Sequence, residues 1–160
     1  MSNNPSKKTS ELKQEFIQLL INNDIIKNLL NTEIETADEL INTQIFPRLK
    51  VDYDSTNDAK TYIGMKLDYP SITNNDAIKN CTLTFMILSH VNDIRTTTGD
   101  SRTDLLAEEI TSIFNFNRKI SFTFKLVEDV ENPYDTNYYY RRLKFEFYAA
   151  NSLENMLNVN

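Results

Sequence analysis

The stretch that decides the fold is CTLTFMILSH, residues 81–90. It alternates apolar and small polar side chains, and this period of two is typical of a half-buried β-strand. The apolar positions of its first part are Cys81, Leu83, Phe85 and Ile87. Residues 60–69 show the same alternation, and the turn signals Pro70 and Asn74-Asn75-Asp76 lie between the two segments. Segments 60–69 and 78–90 are therefore predicted to form an antiparallel pair of strands joined by a polar loop.

The chain that follows changes to a helical period and then returns to alternation. Asp100 or Ser101 is predicted to cap a helix, because both residue types favour the position before the first helical turn. The predicted inward face of this helix carries Leu105, Leu106, Ile110, Ile113 and Phe114. Segments 118–128 and 138–149 then predict two further strands, with Asn132-Pro133 in the polar connection between them.

The N-terminal part predicts helices. A helical period begins at Ser10, a candidate N-cap, and Asn22-Asn23-Asp24 is expected to interrupt it before a second apolar set at 25–30. Thr36 and Glu39 have the spacing of a capping box, which predicts a third helix that ends at or before Phe46, ahead of Pro47. Further along, the apolar positions that suggest a weaker additional strand are Leu49, Val51 and Tyr53.

These elements predict one α+β domain. Its N-terminal helices and a mostly antiparallel sheet of four to five strands would pack against a central helix. We expect a flexible N-terminal arm at residues 1–9, a single domain at 10–150 and a C-terminal tail at 151–160, since both ends are rich in polar residues.

Composition excludes several classes of function. The chain has 17 basic and 23 acidic residues, a net charge of -6, which disfavours tight non-specific binding to nucleic acid. No apolar run approaches the roughly 18 residues that a membrane helix needs. A single cysteine excludes an intrachain disulfide framework and a cysteine-based zinc site within one chain. The start of the chain has no apolar signal core, so we expect a reducing cytosol at first. We expect no cofactor and no metal.

Two short matches suggest a magnesium-dependent phosphatase of the haloacid-dehalogenase type. DYDST at residues 52–56 fits that family's Asp-x-Asp-x-Thr motif, in which one carboxylate attacks phosphorus and the other protonates the leaving group. GDSRTD at residues 99–104 fits its metal motif. However, that fold places each motif after a buried parallel strand, and neither stretch follows one here. A polar turn and a capped helix are the preferred interpretation of these residues, and no catalysis is expected.

Three other groups have structural interpretations. The loop with Asp52, Asp54 and Asp58 could offer oxygens to calcium, but it lacks the glycine and the final glutamate of an EF-hand loop. Cys81 and His90, the single residues of their types, lie nine positions apart, about 30 Å along one strand, so they are not expected to form a catalytic pair. We expect Cys81 in the core and His90 as a hydrogen-bonding residue at the strand end.

The densest aromatic and basic cluster opens the last predicted strand. It consists of Tyr138, Tyr139, Tyr140, Arg141 and Arg142. Such residues could stack on bases, or they could open a strand with alternate tyrosines buried. Tyrosine and arginine are also enriched at the centres of protein interfaces, and we therefore predict this cluster as an oligomer interface. The tail that carries Leu153, Met156, Leu157 and Val159 is too short to fold alone, so it is expected to be frayed or to dock on a neighbouring subunit.

The layout resembles that of the tail terminator, or tail completion, proteins of long-tailed bacteriophages and related phage-tail-like particles. The resemblance covers roughly residues 10–150: an N-terminal helix, the strand LTFMILSH at 83–90, the stretch GDSRTDLLAEEI at 99–110, and closing strands at 118–128 and 138–149.

This resemblance implies a structural virion protein. It implies a ring, typically hexameric, that ends growth of the tail tube and offers a docking surface to the head's neck. The implied partners are other copies of the chain, the tube protein and a neck protein, with DNA only as passing cargo and no membrane. The loops at 91–100 and 52–58 would be candidates for contacts with tube or neck. A head-completion or connector ring of the neck, and an unspecific binding module, remain the alternatives.

Overall fold

The computed structural model describes residues 9–30, 36–49, 59–72, 78–120 and 122–150. Its helices are α1 (Thr9–Ile21), α2 (Asp24–Leu30) and α3 (Arg102–Phe114), with a 3₁₀ turn at Ala37–Leu40 between α2 and the first strand. Its strands are β1 (Ile45–Phe46), β2 (Thr61–Ile72), β3 (Ile78–His90), β4 (Lys125–Pro133) and β5 (Tyr138–Ala150). No helix in these described ranges is long and apolar enough to cross a membrane.

The described strands form one sheet in the order β1-β2-β3-β5-β4. All neighbouring pairs are antiparallel except β1 and β2, which run parallel. Ile63 of β2 lies opposite Ile87 of β3, and Leu83 of β3 lies opposite Phe145 of β5. The predicted antiparallel pair, the closing strand 138–149 and the α+β fold class are therefore confirmed.

The helices cover one face of this sheet, because the larger set of apolar side chains of the alternating strands points to that side. Phe16 of α1 lies at the centre of the resulting core and makes edge-to-face contacts with Phe114, Phe124 and Phe147, at ring-centroid distances of 5.9, 5.4 and 6.1 Å. The strand residues buried on this face are Ile63, Met65, Leu67, Cys81, Leu83, Phe85, Ile87, Leu143, Phe145, Phe147 and Ala149. Alternation in the sequence thus identified the buried face of β2, β3 and β5 correctly.

The opposite face carries a smaller apolar cluster at one end of the sheet. It consists of Phe46, Tyr62, Leu88 and Tyr138, with Met86 and Tyr140 partly buried against it. The chain leaving β1 crosses this face directly above Gly64, where a Cβ atom would lie 2.8 Å from the Arg48 carbonyl oxygen and 3.1 Å from the Leu49 Cα. Only glycine permits so close an approach of one backbone to another.

Gly64→Ala is expected to lower the free energy of unfolding by about 1–3 kcal/mol, the usual cost of forcing an extra carbon into a packed site. Chemical denaturation would measure the loss. Gly99→Ala is the matched control for space, since a Cβ at Gly99 meets nothing within 4 Å, although its φ of +91° adds backbone strain. An unchanged Gly64→Ala protein would contradict the close crossing.

The predicted third helix forms only a 3₁₀ turn. Thr36 Oγ1 donates to Glu39 Oε1 at 2.8 Å, so the two side chains of the capping box bind each other and neither caps the backbone. Beyond the turn, the buried Gln44 amide donates to the Leu30 and Thr61 carbonyl oxygens at 3.1 and 2.9 Å. These long-range bonds draw the following residues into β1, which is why the prediction of a helix up to Phe46 was wrong.

The predicted strand 118–128 was also misplaced, since β4 begins only at Lys125. Phe122 and Phe124 do pack into the core, but from an irregular segment after α3. Asn115 Oδ1 accepts the Leu126 amide at 2.9 Å and fixes the start of the strand. Asn132-Pro133, predicted in the connection, belongs to β4 itself, and the turn lies at residues 134–137.

The predicted interruption of the N-terminal helix is confirmed, because α1 ends at Ile21 and Asn23 Oδ1 accepts the Ile26 amide at 2.9 Å, at the start of α2. Ser10 is not an N-cap, since α1 already includes Thr9. Ser101 takes the N-cap position of α3, without a side-chain cap hydrogen bond. The predicted arm at residues 1–9 extends one residue too far, since Thr9 belongs to α1. The rest of the arm, the strand positions Val51 and Tyr53, and the tail at 151–160 lie outside the described residues.

Candidate assembly surface

The Tyr138–Arg142 cluster opens β5, an interior strand of the sheet, so successive side chains point to opposite faces. Tyr138 is buried against His90 in an edge-to-face contact with ring centroids 5.0 Å apart. Burial raises the pKa of the Tyr138 phenol. Tyr140 is partly buried on the same face, beside Tyr134. These two tyrosines contribute to the fold, as the strand-opening interpretation expects.

The two arginines of the cluster bind carboxylates of the same chain. Arg141 binds Asp129 of β4 through two parallel bonds, Nε to Oδ1 at 2.7 Å and Nη2 to Oδ2 at 2.8 Å. It also donates to Asp104 of α3, and its bonds to Asp129 raise the pKa of the guanidinium further above its usual value. Arg142 Nε donates to Glu128 Oε1 at 2.6 Å. Arg141 therefore ties the sheet to α3.

Tyr139 is the exposed tyrosine of the cluster, with 39% of its surface accessible. The Arg142 side chain is 43% exposed but is paired with Glu128. Two further exposed apolar residues lie at the same end of the sheet: Tyr134, 44% accessible, in the β4–β5 turn, and Val91, 37% accessible, directly after β3. We call Tyr139, Tyr134 and Val91 the hairpin end. Val91 and Tyr134 were not singled out from the sequence, because their position at the same end of the sheet as Tyr139 follows from the register of β3, β4 and β5.

The hairpin end is held by an ordered turn. Asp135 Oδ1 accepts the backbone amides of Asn137 and Tyr138 at 2.7 and 2.8 Å, and the Val91 amide donates to the Asn137 carbonyl oxygen at 2.8 Å. This last hydrogen bond joins the loop after β3 to the turn between β4 and β5. Rigid presentation lowers the entropy lost when a surface binds a partner.

A buried polar network fixes the base of the loop at residues 91–101. Arg102 Nε donates to the Asp93 carbonyl oxygen at 2.7 Å, its Nη1 donates to the Leu29 carbonyl oxygen, and its Nη2 lies 3.5 Å from Asp93 Oδ1. Thr61 Oγ1 donates to the other carboxylate oxygen of Asp93 at 2.6 Å and lies 2.7 Å from Ser89 Oγ. The network joins α2, α3, β2 and β3, and the loop tip at residues 97–100 is exposed.

The acidic residues of the two phosphatase-like matches have structural roles where they are described. Asp100 Oδ2 accepts the Thr98 hydroxyl at 2.8 Å in an exposed turn, and Asp104 binds Arg141. Neither follows a buried parallel strand, since β3 lies between antiparallel neighbours. The stretch 52–56 and the calcium candidate Asp58 lie outside the described residues.

Cys81 and His90 lie at opposite ends of β3, as predicted. Cys81 is buried opposite Phe147, and burial raises the pKa of its thiol. His90 lies opposite Tyr138, and its Nδ1 accepts the Asn92 amide at 3.1 Å. Both residues therefore belong to the fold.

These features define the class of protein: an α+β domain with a sheet covered by helices on one face and an ordered, partly aromatic loop surface at one end of the sheet. The chain matches the model of the YomW family over residues 13–147 and belongs to that family. The family is phage-derived, which makes this chain a phage-related protein. No curated protein matches the chain.

Proposed function

We propose that this chain is a tail terminator: a structural virion protein that forms a ring, hexameric in our proposal, at the head-proximal end of a phage tail tube. The ring ends growth of the tube and offers the docking surface for the neck of the head. Its work requires complementary surfaces and closed symmetry, and no catalysis. The partners are further copies of the chain, the tube protein and a neck protein, while DNA passes through without specific binding.

The observation that carries this proposal is the ordered hairpin end of a phage-derived protein. Tyr139, Tyr134 and Val91 are exposed there although the turn and loop that bear them are fixed by hydrogen bonds. Exposed aromatic side chains on a rigid frame are typical of protein interfaces. In our proposal Tyr139 contributes to the contact between subunits, and the adjoining loop at 91–101 contacts tube or neck.

The experiment that tests the proposal is mass photometry of the purified protein, with negative-stain imaging of large species and of tail tubes to which the protein has been added. We expect closed rings of about six subunits and tubes that are capped at one end. A twelve-fold ring that leaves tubes uncapped would indicate a head connector instead. A protein that neither self-associates nor caps tubes would overturn the proposal.

Tyr139→Ala is expected to weaken ring assembly about tenfold or more, because truncation of a central aromatic residue commonly removes 2 kcal/mol or more of binding free energy. The concentration at which rings form, measured by mass photometry, gives the effect. Tyr148→Ala is the matched control, since Tyr148 is 69% exposed on the same strand but near its other end. Equal assembly of both variants and the native chain would contradict the role of Tyr139. Arg141 is the less informative probe, because its removal also breaks two internal ion pairs.

A further inference from the structure

The segment that joins α3 to β4 presents an exposed aromatic residue in an unusual conformation. Phe116 has 59% of its surface accessible and a backbone φ of 51°. Among the residues that the structure describes, Asn42, with a φ of 64°, is the only other non-glycine residue with a positive φ. Left-handed backbone is uncommon for any residue with a Cβ and is disfavoured for a bulky one. Strain of this kind persists only where the surrounding structure imposes it, and it is concentrated at functional sites.

Three hydrogen bonds impose that conformation. The Phe116 amide donates to the Phe124 carbonyl oxygen at 2.9 Å, Asn117 Nδ2 donates to the Ile113 carbonyl oxygen at 2.8 Å, and the Lys119 amide donates to Asn117 Oδ1 at 3.0 Å. We call residues 116–119 the basic loop. It is fixed in place while its aromatic side chain remains in water.

The basic loop is electropositive in an acidic protein. Arg118 and Lys119 are both exposed, and Lys125 follows at the start of β4. Between Glu109 and Glu128 the sequence contains no acidic residue, although the whole chain has a net charge of -6. The loop lies at the end of the sheet where β4 begins and β5 ends, opposite to the hairpin end.

The acidic excess lies on the helical layer. The described helices and the 3₁₀ turn carry Glu11, Glu15, Asp24, Asp38, Glu39, Asp104, Glu108 and Glu109, against Lys13, Lys27 and Arg102. The strands, by contrast, carry nearly equal numbers of the two signs. Glu108 is exposed on α3, with Glu109 beside it, whereas α2 carries no net charge, since Lys27 Nζ lies 2.6 Å from Asp24 Oδ1. One molecule therefore offers both a basic and an acidic surface.

We propose that the basic loop of one copy docks on the acidic outer face of α3 of a second copy, around Glu108, with Phe116 at the centre of the contact. The two surfaces differ, so the contact is head-to-tail, and repetition of a head-to-tail contact closes into a ring when its rotation permits. Complementary charge selects the register of the contact, and Phe116 supplies apolar area. This inference rests on the proposed ring and names a surface through which its subunits meet.

The first test is the double variant Arg118→Glu, Lys119→Glu. We expect it to fold normally and to raise the concentration needed for assembly about tenfold or more, since like charges would then face each other. The matched control is Lys66→Glu, Lys144→Glu, which changes the net charge equally in the middle of the sheet, away from both ends. Added salt should weaken native assembly through screening. Equal effects of both double variants would overturn the inference.

Phe116→Asn separates assembly from folding. Asparagine tolerates the left-handed conformation better than phenylalanine does, so the variant should be at least as resistant to denaturant as the native chain. The concentration that this variant needs for assembly should nevertheless rise several fold. Unchanged assembly would show that Phe116 is outside the contact.

Disulfide trapping tests the pairing without reference to a ring. Chains with Lys119→Cys and chains with Glu108→Cys are mixed and mildly oxidised, while the buried Cys81 stays unreactive. We expect a mixed dimer in clear excess over that formed by Lys66→Cys chains with Glu108→Cys chains, since Lys66 is exposed in the middle of the sheet. Similar yields would overturn the inference. If trapping succeeds but no ring is seen by mass photometry or on tubes, the proposed function fails while the contact between copies stands.

Discussion

Arg102→Ala is expected to lower the free energy of unfolding by about 3–5 kcal/mol, the usual cost when one partner of a buried ion pair is removed. The side chain of Arg102 is 8% exposed, and the side chain of Asp93 is 14% exposed. Without the guanidinium, the backbone carbonyl oxygens of Asp93 and Leu29 lose their side-chain donor, and the Asp93 carboxylate loses its cationic partner and keeps the Thr61 hydroxyl as a donor. Urea denaturation measures the loss, and hydrogen exchange of residues 91–101 would report a loosened loop.

Two further variants serve as controls for this prediction. Arg118→Ala removes an exposed arginine and should change stability by no more than about 0.5 kcal/mol. Arg102→Lys keeps the charge but loses the planar set of guanidinium donors. Its loss of unfolding free energy should therefore lie between those of Arg102→Ala and Arg118→Ala. A loss below 1 kcal/mol in Arg102→Ala would contradict the network as the anchor of the loop.

Phe16→Ala is expected to destabilise the fold by about 3–5 kcal/mol, because a fully buried phenylalanine leaves a cavity that rigid neighbours cannot fill. Its ring touches Phe114, Phe124 and Phe147, which come from α3, the segment after it, and β5. Thermal and chemical denaturation measure the effect.

Ile25→Ala is the comparison for Phe16→Ala. Ile25 also lies in an N-terminal helix but is 54% exposed, so its truncation should cost no more than about 0.5 kcal/mol. A Phe16→Ala protein as stable as the Ile25→Ala protein would refute the central position of Phe16.

The strained basic loop and the hairpin end lie at opposite ends of one sheet, and this separation has a consequence for assembly. Variants of Phe116 and of Tyr139 share no neighbours, so their effects on assembly should be independent and should add. Internal ion pairs occupy Arg141, Arg142 and Asp104. Contacts between copies are therefore expected from the residues that remain exposed at each end.

Part of this arrangement was predictable from the sequence. The period of two in β2, β3 and the end of β5 identified Leu83, Phe85 and Phe145 as buried, since only one face of such a strand meets the core. The prediction of strands from alternation failed where buried apolar residues lie in a segment without regular secondary structure. Phe122 and Phe124 alternate as a strand would, yet they reach the core from an irregular segment.

For the candidate assembly surface, too, the sequence predicted one part and the tertiary structure decided the other. The sequence indicated that Tyr138–Arg142 is a notable cluster, and it left open whether the cluster serves the fold or a partner. The ion pairs of Arg141 with Asp129 and Asp104 join positions 12 and 37 residues away, and no local pattern reveals such partners. Val91 and Tyr134 reach the same end of the sheet as Tyr139 only through strand register.

By itself, then, the sequence determined the α+β class, the central strands, the helix at 102–114 and the acidic balance, because these follow from local periodicity and composition. Tertiary structure decided the rest. The Gln44 amide bonds made β1 from a stretch with helical signals, and Asn115 placed the start of β4. Burial and pairing also decided which members of the aromatic and basic cluster stay exposed, since those properties depend on residues far away in the chain.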